Sequence, residues 1–149
     1  MVSAGDDLLT DEMRAAFKTE DEHVMYCEKT KKHKNYGDAD NLERIYVMTT
    51  HNIYTYKMRK NTNQYKLTRY YQIKDVGAII LSSENESDFM LFFTLSEDLH
   101  LSSSSRRELL DLLTLRFFTF KRNTTLKIYS VPTEELVTYH KTNNAQSKI

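Results

Sequence analysis

The 149-residue chain has few of the residues that build cross-links and tight ligand loops: three glycines, one proline, one cysteine and no tryptophan. A single cysteine, Cys27, excludes an internal disulfide and fits a reducing compartment. No hydrophobic run reaches the roughly 18 residues of a membrane-spanning helix, and the N-terminus lacks the basic and apolar regions of a signal peptide. We therefore expect a cytoplasmic protein with no transmembrane segment.

Sequence motifs of catalysis are also missing. The chain contains no HExxH, GxSxG or CxxC motif and no Gly-rich phosphate loop. His23, Cys27 and His33 come nearest to a metal-ligand group, but in an extended segment they lie well apart and not all on one side. The sequence therefore predicts a protein that is not an enzyme and that uses no cofactor.

β-branched and aromatic residues fill most of the chain. Residues 44–57, RIYVMTTHNIYTYK, form two such runs around a polar tip, which predicts a β-hairpin. Alternation places Ile45 and Val47 on one side of its first strand and Tyr46 and Met48 on the other. Further strands are predicted in YKLTRYYQI, GAIILS, DFMLFFTL, DLHLS and LKIYSV.

Charge and capping residues predict the remaining elements. The segment 23–34 predicts a first strand whose charged second half, KTKKHK, forms a protruding loop. Thr10 starts a short helix that contains Met13, Ala16 and Phe17. Pro132 starts a final short helix.

A longer helix follows Ser105, which has capping-box spacing to Glu108. One face of this helix is expected to close the core; its residues are Leu109, Leu112, Leu113, Arg116, Phe117 and Phe120. Strands followed by one late helix predict a mainly β protein with helices (α+β), a β-barrel or sandwich of about seven strands closed by one helix. The expected organisation is an N-terminal extension (1–22), one domain (23–140) and a tail (141–149).

The formal charge of zero conceals a strong segregation along the chain. Residues 1–28 carry two basic and eight acidic side chains, residues 29–74 eleven and three, and residues 75–149 eight and ten. The basic middle block predicts a face that meets phosphate groups or an acidic protein surface. The alternative is that these side chains only solvate strand edges and hairpin tips.

Candidate contact residues come from this block. The basic candidates for an acidic partner or a phospholipid are Lys29, Lys31, Lys32, Lys34, Arg44, Lys57, Arg59 and Lys60. The candidate interface aromatics are Tyr54, Tyr56 and Tyr70, because tyrosine is enriched where interfaces concentrate their energy. The alternative for these tyrosines is packing within the sheet.

The order of these pieces resembles the tail-homology domain of class I myosins, a variant of the pleckstrin-homology fold, over roughly residues 24–131. The resemblance is carried by VMTTHNIYTYK, YKLTRYYQIKDVGAIILSSENESDFMLFF, DLHLSSSSRRELLDLL and KRNTTLKIYSV. The 149 residues include no motor. The resemblance implies recognition of acidic phospholipids by a basic loop residue, matched by Lys32 or Lys34, and by two basic residues near the second strand. Arg44 matches the last of these, and Leu42 stands in place of the other.

We therefore expect a non-catalytic adaptor module of a cytoskeletal assembly, either microtubule-associated, as in the axoneme of a cilium, or actin-associated at the cell cortex. The alternative is a peripheral membrane domain that binds acidic phospholipids or phosphoinositides. Nucleic acid is not favoured as a partner, because no RNA-recognition motif of the KGFGFV type is present. The C-terminal Ser-Lys-Ile differs from the peroxisomal Ser-Lys-Leu signal in its last residue, so a peroxisomal location is not favoured either.

Overall fold

The computed structural model describes residues 9–33, 41–59 and 64–136, with positions 33, 41 and 42 defined by their backbone alone. The strands of this part are β1 (Val24–His33), β2 (Asn41–Thr49), β3 (Asn52–Met58), β4 (Tyr65–Gln72), β5 (Val76–Ser82), β6 (Asp88–Phe93), β7 (Leu99–Ser102) and β8 (Lys127–Val131). The helices are α1 (Asp11–Ala15) and α2 (Arg106–Phe120), and a 3₁₀ turn at Ile73–Asp75 links β4 to β5. Residues 133–136 form a helical turn after Pro132, and the rest of the predicted C-terminal helix lies outside the described residues.

The strands form one sheet in the order β4-β3-β2-β1-β7-β6-β5-β8. All neighbours are antiparallel except β5 and β8, which run parallel with Ile79 opposite Ile128. β1 joins the two halves of this sheet, β4-β3-β2 and β7-β6-β5-β8. It pairs with β2 along its length and with β7 through Lys31 and Lys32. The described residues thus form eight strands where about seven were expected. The described sheet also has two edges, β4 and β8, so it is not a closed barrel.

The two halves of the sheet nevertheless face each other across the main hydrophobic core. Tyr71 of β4 stacks on Phe93 of β6 with 4.2 Å between ring centroids, and Arg69 forms an ion pair with Glu97 at 3.1 Å. α2 closes this core as predicted, burying Leu109, Leu113 and Phe117. The predicted capping box does not form, since the Ser105 side chain makes no cap hydrogen bond.

The predicted hairpin is confirmed as β2 and β3, and its two sides divide as alternation requires. Tyr46 and Met48 face the main core, whereas Ile45 and Val47 belong to a second cluster on the outer face of the sheet. Both sides are buried, because Met13 of α1 lies against the outer face. α1 itself begins as predicted, with the Thr10 hydroxyl accepting a hydrogen bond from the Met13 N–H at 3.1 Å.

The charged segment after Glu28 is not a loop, so that prediction is wrong. β1 continues to His33, with Lys31 opposite Glu43 on β2 and opposite Ser102 on β7. Two flanking strands satisfy its backbone, and alternation lets Lys29 and Lys31 point outward to solvent. A strand can carry many charges where one of its faces is exposed.

Candidate binding surfaces

The structure divides the predicted basic residues between two faces of the sheet. Lys29 and Lys31 alternate with the inward-facing Tyr26 and lie exposed on the outer face. The same alternation places Lys32 and Arg44 on the face that meets the main core, which we call the concave face. They lie toward the ends of β1 and β2 farthest from the β2–β3 turn, which we call the open end of the sheet. Exposed Lys57 and Arg59 lie at the end of β3, whereas Lys34 and Lys60 lie outside the described residues.

On the concave face, cations occupy neighbouring strands in register. Lys57 of β3 lies opposite Lys66 of β4, and Ile45 lies opposite Tyr56. Continuing the β2–β3 register by one residue places Arg44 opposite Lys57. We call Arg44, Lys57 and Lys66 the basic row. Like charges directly opposite each other on a sheet are destabilising, so an anion placed here would relieve their repulsion.

Arg44 is the most constrained member of the basic row. One of its terminal nitrogens donates to the Glu43 carbonyl at 2.8 Å, while its buried Nε has no hydrogen-bond partner among the described residues. Burial lowers the pKa of its guanidinium, since desolvation penalises the charged form. A buried guanidinium nitrogen without an acceptor is a position where an anionic group would bind favourably.

The lysines of the outer face have a different setting. A polar cavity of about 510 Å³ contains Lys29, Lys31, Glu43, Asp88 and several serines. Register places Glu43, Lys31, Ser102 and Asp88 in a row across four strands. The carboxylates of Glu43 and Asp88 thus stand at the two ends of this row, with Lys31 between them. This cavity therefore attracts an added anion less strongly than the basic row does.

The start of α2 already has a carboxylate beside it. Glu28 accepts hydrogen bonds from Ser103 at 2.7 and 2.9 Å and from Ser104 at 3.3 Å, and also from the Tyr26 hydroxyl. Burial, followed by the hydrogen bond to Glu28, raises the pKa of Tyr26. Ser103 and Ser104, at the start of α2, therefore already bind a carboxylate of the chain itself, that of Glu28.

Two of the three candidate aromatics are core residues, which corrects their assignment to an exposed interface. Tyr54 and Tyr56 are at most 1% exposed beneath α1, and Phe17 stacks on Tyr54 with 5.0 Å between ring centroids. Tyr70 is 42% exposed, and the Lys18 ammonium lies 5.6 Å from its ring centroid. Only Tyr70 of the three is available to a partner in this conformation.

Glu22 fixes the segment after α1 to the β2–β3 turn. Its carboxylate accepts hydrogen bonds from the Tyr54 hydroxyl at 2.7 Å, the Asn52 amide at 2.8 Å, the Thr19 N–H at 2.9 Å and the Thr49 hydroxyl. Burial alone would raise the pKa of Glu22, but these hydrogen bonds outweigh it and lower the pKa below the ordinary value of 4.5. α1 and the segment after it, which cover Tyr54 and Tyr56, are therefore held by charge-assisted hydrogen bonds as well as by apolar contact.

A second cavity, of about 650 Å³, lies where β4 meets the turn after β6. Its wall combines charged and aromatic side chains, among them Arg69, Tyr70, Phe92, Leu95 and Glu97. Leu95 is 80% exposed. An apolar side chain reaching the edge of β4 would find both hydrophobic contact and open space here.

The described residues hold no group of three or more His, Cys, Asp or Glu side chains that could bind a metal ion. A polar trio on β6 and β7 has its carboxylate in the middle: the half-buried Ser102 donates to the buried Asp88, and His100 Nε2 lies 4.0 Å from the other Asp88 oxygen. In a nucleophile–base pair the imidazole would accept the proton of the hydroxyl, whereas here the Asp88 carboxylate accepts the hydrogen bond of Ser102. The geometry of this trio is therefore not that of a nucleophile–base pair.

None of the helices described is long and apolar enough to cross a membrane.

Comparison with known proteins supports the fold and gives no family. No protein-family model matches the chain, and no curated protein matches it in sequence. Among solved structures it is similar to the DH/PH fragment of PDZRhoGEF in complex with human RhoA, with a TM-score of 0.57 and 9% identity over 66% of this chain and 29% of that one. The N-terminally truncated linker-DH/PH domains of p115-RhoGEF give a TM-score of 0.55 and 7% identity, covering 78% of this chain and 35% of that one.

The hSac2 domain of the human phosphoinositide phosphatase Sac2 gives a TM-score of 0.55 and 9% identity, covering 76% of this chain and 79% of that one. The chain spans about a third of the length of the DH/PH structures. At such low identities the likeness shows the fold alone. The chain thus has a pleckstrin-homology-like fold, as the sequence resemblance implied, while kinship with myosin tails stays a prediction.

Lys66 and Arg69 were not among the residues that sequence reasoning selected. A signal for them exists, because residues 44–74 carry seven basic and no acidic side chains. The sequence does not contain the strand register, however, and only the register shows that Lys66 continues the line begun by Arg44 and Lys57.

Proposed function

We propose that this chain is a non-catalytic interaction module that docks on an acidic protein surface through its basic row. The observation that carries the proposal is the register of Arg44, Lys57 and Lys66 within a stretch that has no acidic residue. Complementary charge steers association and fixes orientation, and its effect weakens as salt screens it. The likeness to a DH/PH fragment in complex with RhoA is compatible with a protein partner.

The setting we propose is a cytoskeletal assembly. Microtubule surfaces are acidic and suit a cationic face, whereas the resemblance to myosin tails favours the actin-rich cortex. Both settings share one physical requirement, an anionic lattice that the basic row can approach. Lys57 and Lys66 are exposed and meet that requirement without any rearrangement of the sheet.

A second candidate function, binding of acidic phospholipids, is favoured by Arg44. Its Nε is buried and has no acceptor among the described residues, and it occupies the position that the family resemblance assigns to lipid contact. Each basic side chain near an anionic membrane contributes about 1 kcal/mol of attraction. In this case Arg44 and Lys32, rather than Lys66, would dominate binding.

Parallel sedimentation assays test both functions. The full chain is pelleted with microtubules, with actin filaments and with phosphoinositide vesicles, over a range of salt concentrations. Lys57→Glu combined with Lys66→Glu should release the chain from its protein lattice, and the control with the same charge change is Lys29→Glu combined with Lys31→Glu on the outer face. No pelleting with either filament at low salt would refute the cytoskeletal setting. Vesicle binding that Arg44→Gln abolishes would select the lipid function instead.

A further inference from the structure

β4 is an edge strand, and no described strand pairs with its outer side. It is eight residues long and paired with β3 along its whole length, so its backbone is already held in extended form. The half nearest the turn after β6 is partly covered, since Tyr71 stacks on Phe93 and Arg69 pairs with Glu97. The other half, Tyr65–Thr68, has no neighbouring strand on its outer side among the described residues, and we call it the open part of the edge.

An exposed strand edge is a template for another extended chain, since its outward N–H and C=O groups continue the ladder. Charge selects the occupant of this edge. Lys66 stands on the edge with Lys57 beside it, so a second copy of β4 would bring more positive charge against them. A segment that carries carboxylates would instead place one directly opposite Lys66, at the end of the basic row.

The cavity of about 650 Å³ lies at the covered end of the same strand. A segment paired with Tyr65–Thr68 would reach Arg69 within one or two further residues, since an extended chain advances about 3.4 Å per residue. Its next apolar side chain would meet Leu95, which is 80% exposed, and the half-exposed Tyr70. An extended segment on the β4 edge would therefore meet Lys66 first and the apolar side chains of the cavity a few residues later.

We propose that the β4 edge binds an extended acidic segment of a partner protein by strand addition, with a carboxylate opposite Lys66 and an apolar side chain in the cavity beside Leu95. This inference rests on the proposed function and names the chemistry and the mode of the contact. Backbone pairing with Tyr65–Thr68 supplies affinity, and the cations and the cavity supply selectivity.

The probe is a fluorescein-labelled peptide with leucine at each end and alternating glutamate and valine between them, added to the full chain. Its binding is read by fluorescence anisotropy, and the amide hydrogen exchange of Tyr65–Thr68 is read with and without it. A second peptide carries N-methylated valines, which keep the side chains and charges but lack the backbone N–H. We expect N-methylation to weaken binding by roughly tenfold or more, and the unmethylated peptide to slow exchange in Tyr65–Thr68.

Two variants of equal charge change separate the site from general attraction. Lys66→Glu on β4 should weaken peptide binding by roughly tenfold, whereas Lys127→Glu on β8, the opposite edge, should change it by less than about twofold. Equal effects of the two variants would overturn the inference. Equal binding of the N-methylated peptide would also overturn it, while leaving charge-based docking on the basic row intact. Sedimentation with filaments but no binding of the peptide would likewise refute strand addition alone.

Discussion

Replacing Glu22 by alanine tests whether the segment after α1 is held by the hydrogen bonds seen around this carboxylate. The magnitude follows from what each donor would lose. Asn52 keeps an acceptor in the Thr19 hydroxyl at 3.0 Å, and the Thr49 hydroxyl keeps the Asn52 carbonyl at 3.3 Å. Tyr54 is fully buried and donates its hydroxyl proton to Glu22. Leaving one buried hydroxyl without an acceptor costs about 1–3 kcal/mol.

We therefore expect Glu22→Ala to lower the free energy of unfolding by about 2 kcal/mol at neutral pH. Urea denaturation followed by circular dichroism measures this change. Glu20→Ala is the matched control, because Glu20 is an exposed neighbour; its effect should stay within about 0.5 kcal/mol. In a Tyr54→Phe background the same Glu22→Ala change should cost about 1 kcal/mol less, since the hydroxyl that it orphans is gone. An equal cost in both backgrounds would refute the reasoning.

The pH dependence of the Glu22→Ala effect has a definite sign. Hydrogen bonds to the charged form lower the pKa of Glu22 in the folded state below its ordinary value of 4.5. The unfolded chain therefore binds the proton first as pH falls, and the stability due to this carboxylate is fully present only above that value. The difference between wild type and Glu22→Ala should shrink as pH falls from about 4.5 through the lowered folded pKa. A difference that grows in acid would contradict the network.

Three further changes test other parts of the fold. Leu113→Ala in α2 should lower the free energy of unfolding by about 3 kcal/mol in urea titrations. Leu115→Ala, on the exposed side of the helix, should change it by no more than about 0.5 kcal/mol. Similar losses for the two variants would show that the buried face of α2 is assigned incorrectly. Lys66→Glu should raise stability by about 0.5 kcal/mol by turning its repulsion of Lys57 into attraction, and a thermal melt showing a loss would contradict the basic row. The Cys27 thiol is 0% exposed beneath α1, so Ellman's reagent should react with it quickly only in denaturant; rapid reaction of the native protein would show that the cover is absent.

Local patterns predicted the strands and α2 because their information lies within a few neighbouring residues. Alternation separated Ile45 from Tyr46 correctly, but it cannot say what covers each side. The outer cover of β3 comes from Met13 and Phe17, far away in the chain, and it turned Tyr54 from a candidate contact into a core residue. Solvent exposure depends on the tertiary structure. Alternation can therefore assign a side chain to the correct face of a strand without showing whether that face is exposed.

The same distance effect explains why the charges were easier to predict as a block than as a site. Arg44, Lys57 and Lys66 are separated by whole strands, and only the pairing of β2, β3 and β4 lines them up. The block also contained Lys29 and Lys31, which alternation sends to the other face, where Glu43 and Asp88 accompany them. Net charge predicted that a cationic surface exists, and register decided which cations form it.

Burial on both faces limits where the first half of the sheet can recognise anything. The concave side of β2 and β3 meets the main core, and the outer side lies under α1, so the broad surfaces are occupied by the chain itself. Among the described residues of β2, β3 and β4, the open end of the sheet and the edge of β4 stay accessible, and Lys66 belongs to both. A lysine on an edge repels a second copy of the same strand, while the same charge attracts a carboxylate. One residue can thus keep the chain from pairing with itself and still leave its edge open to an acidic partner.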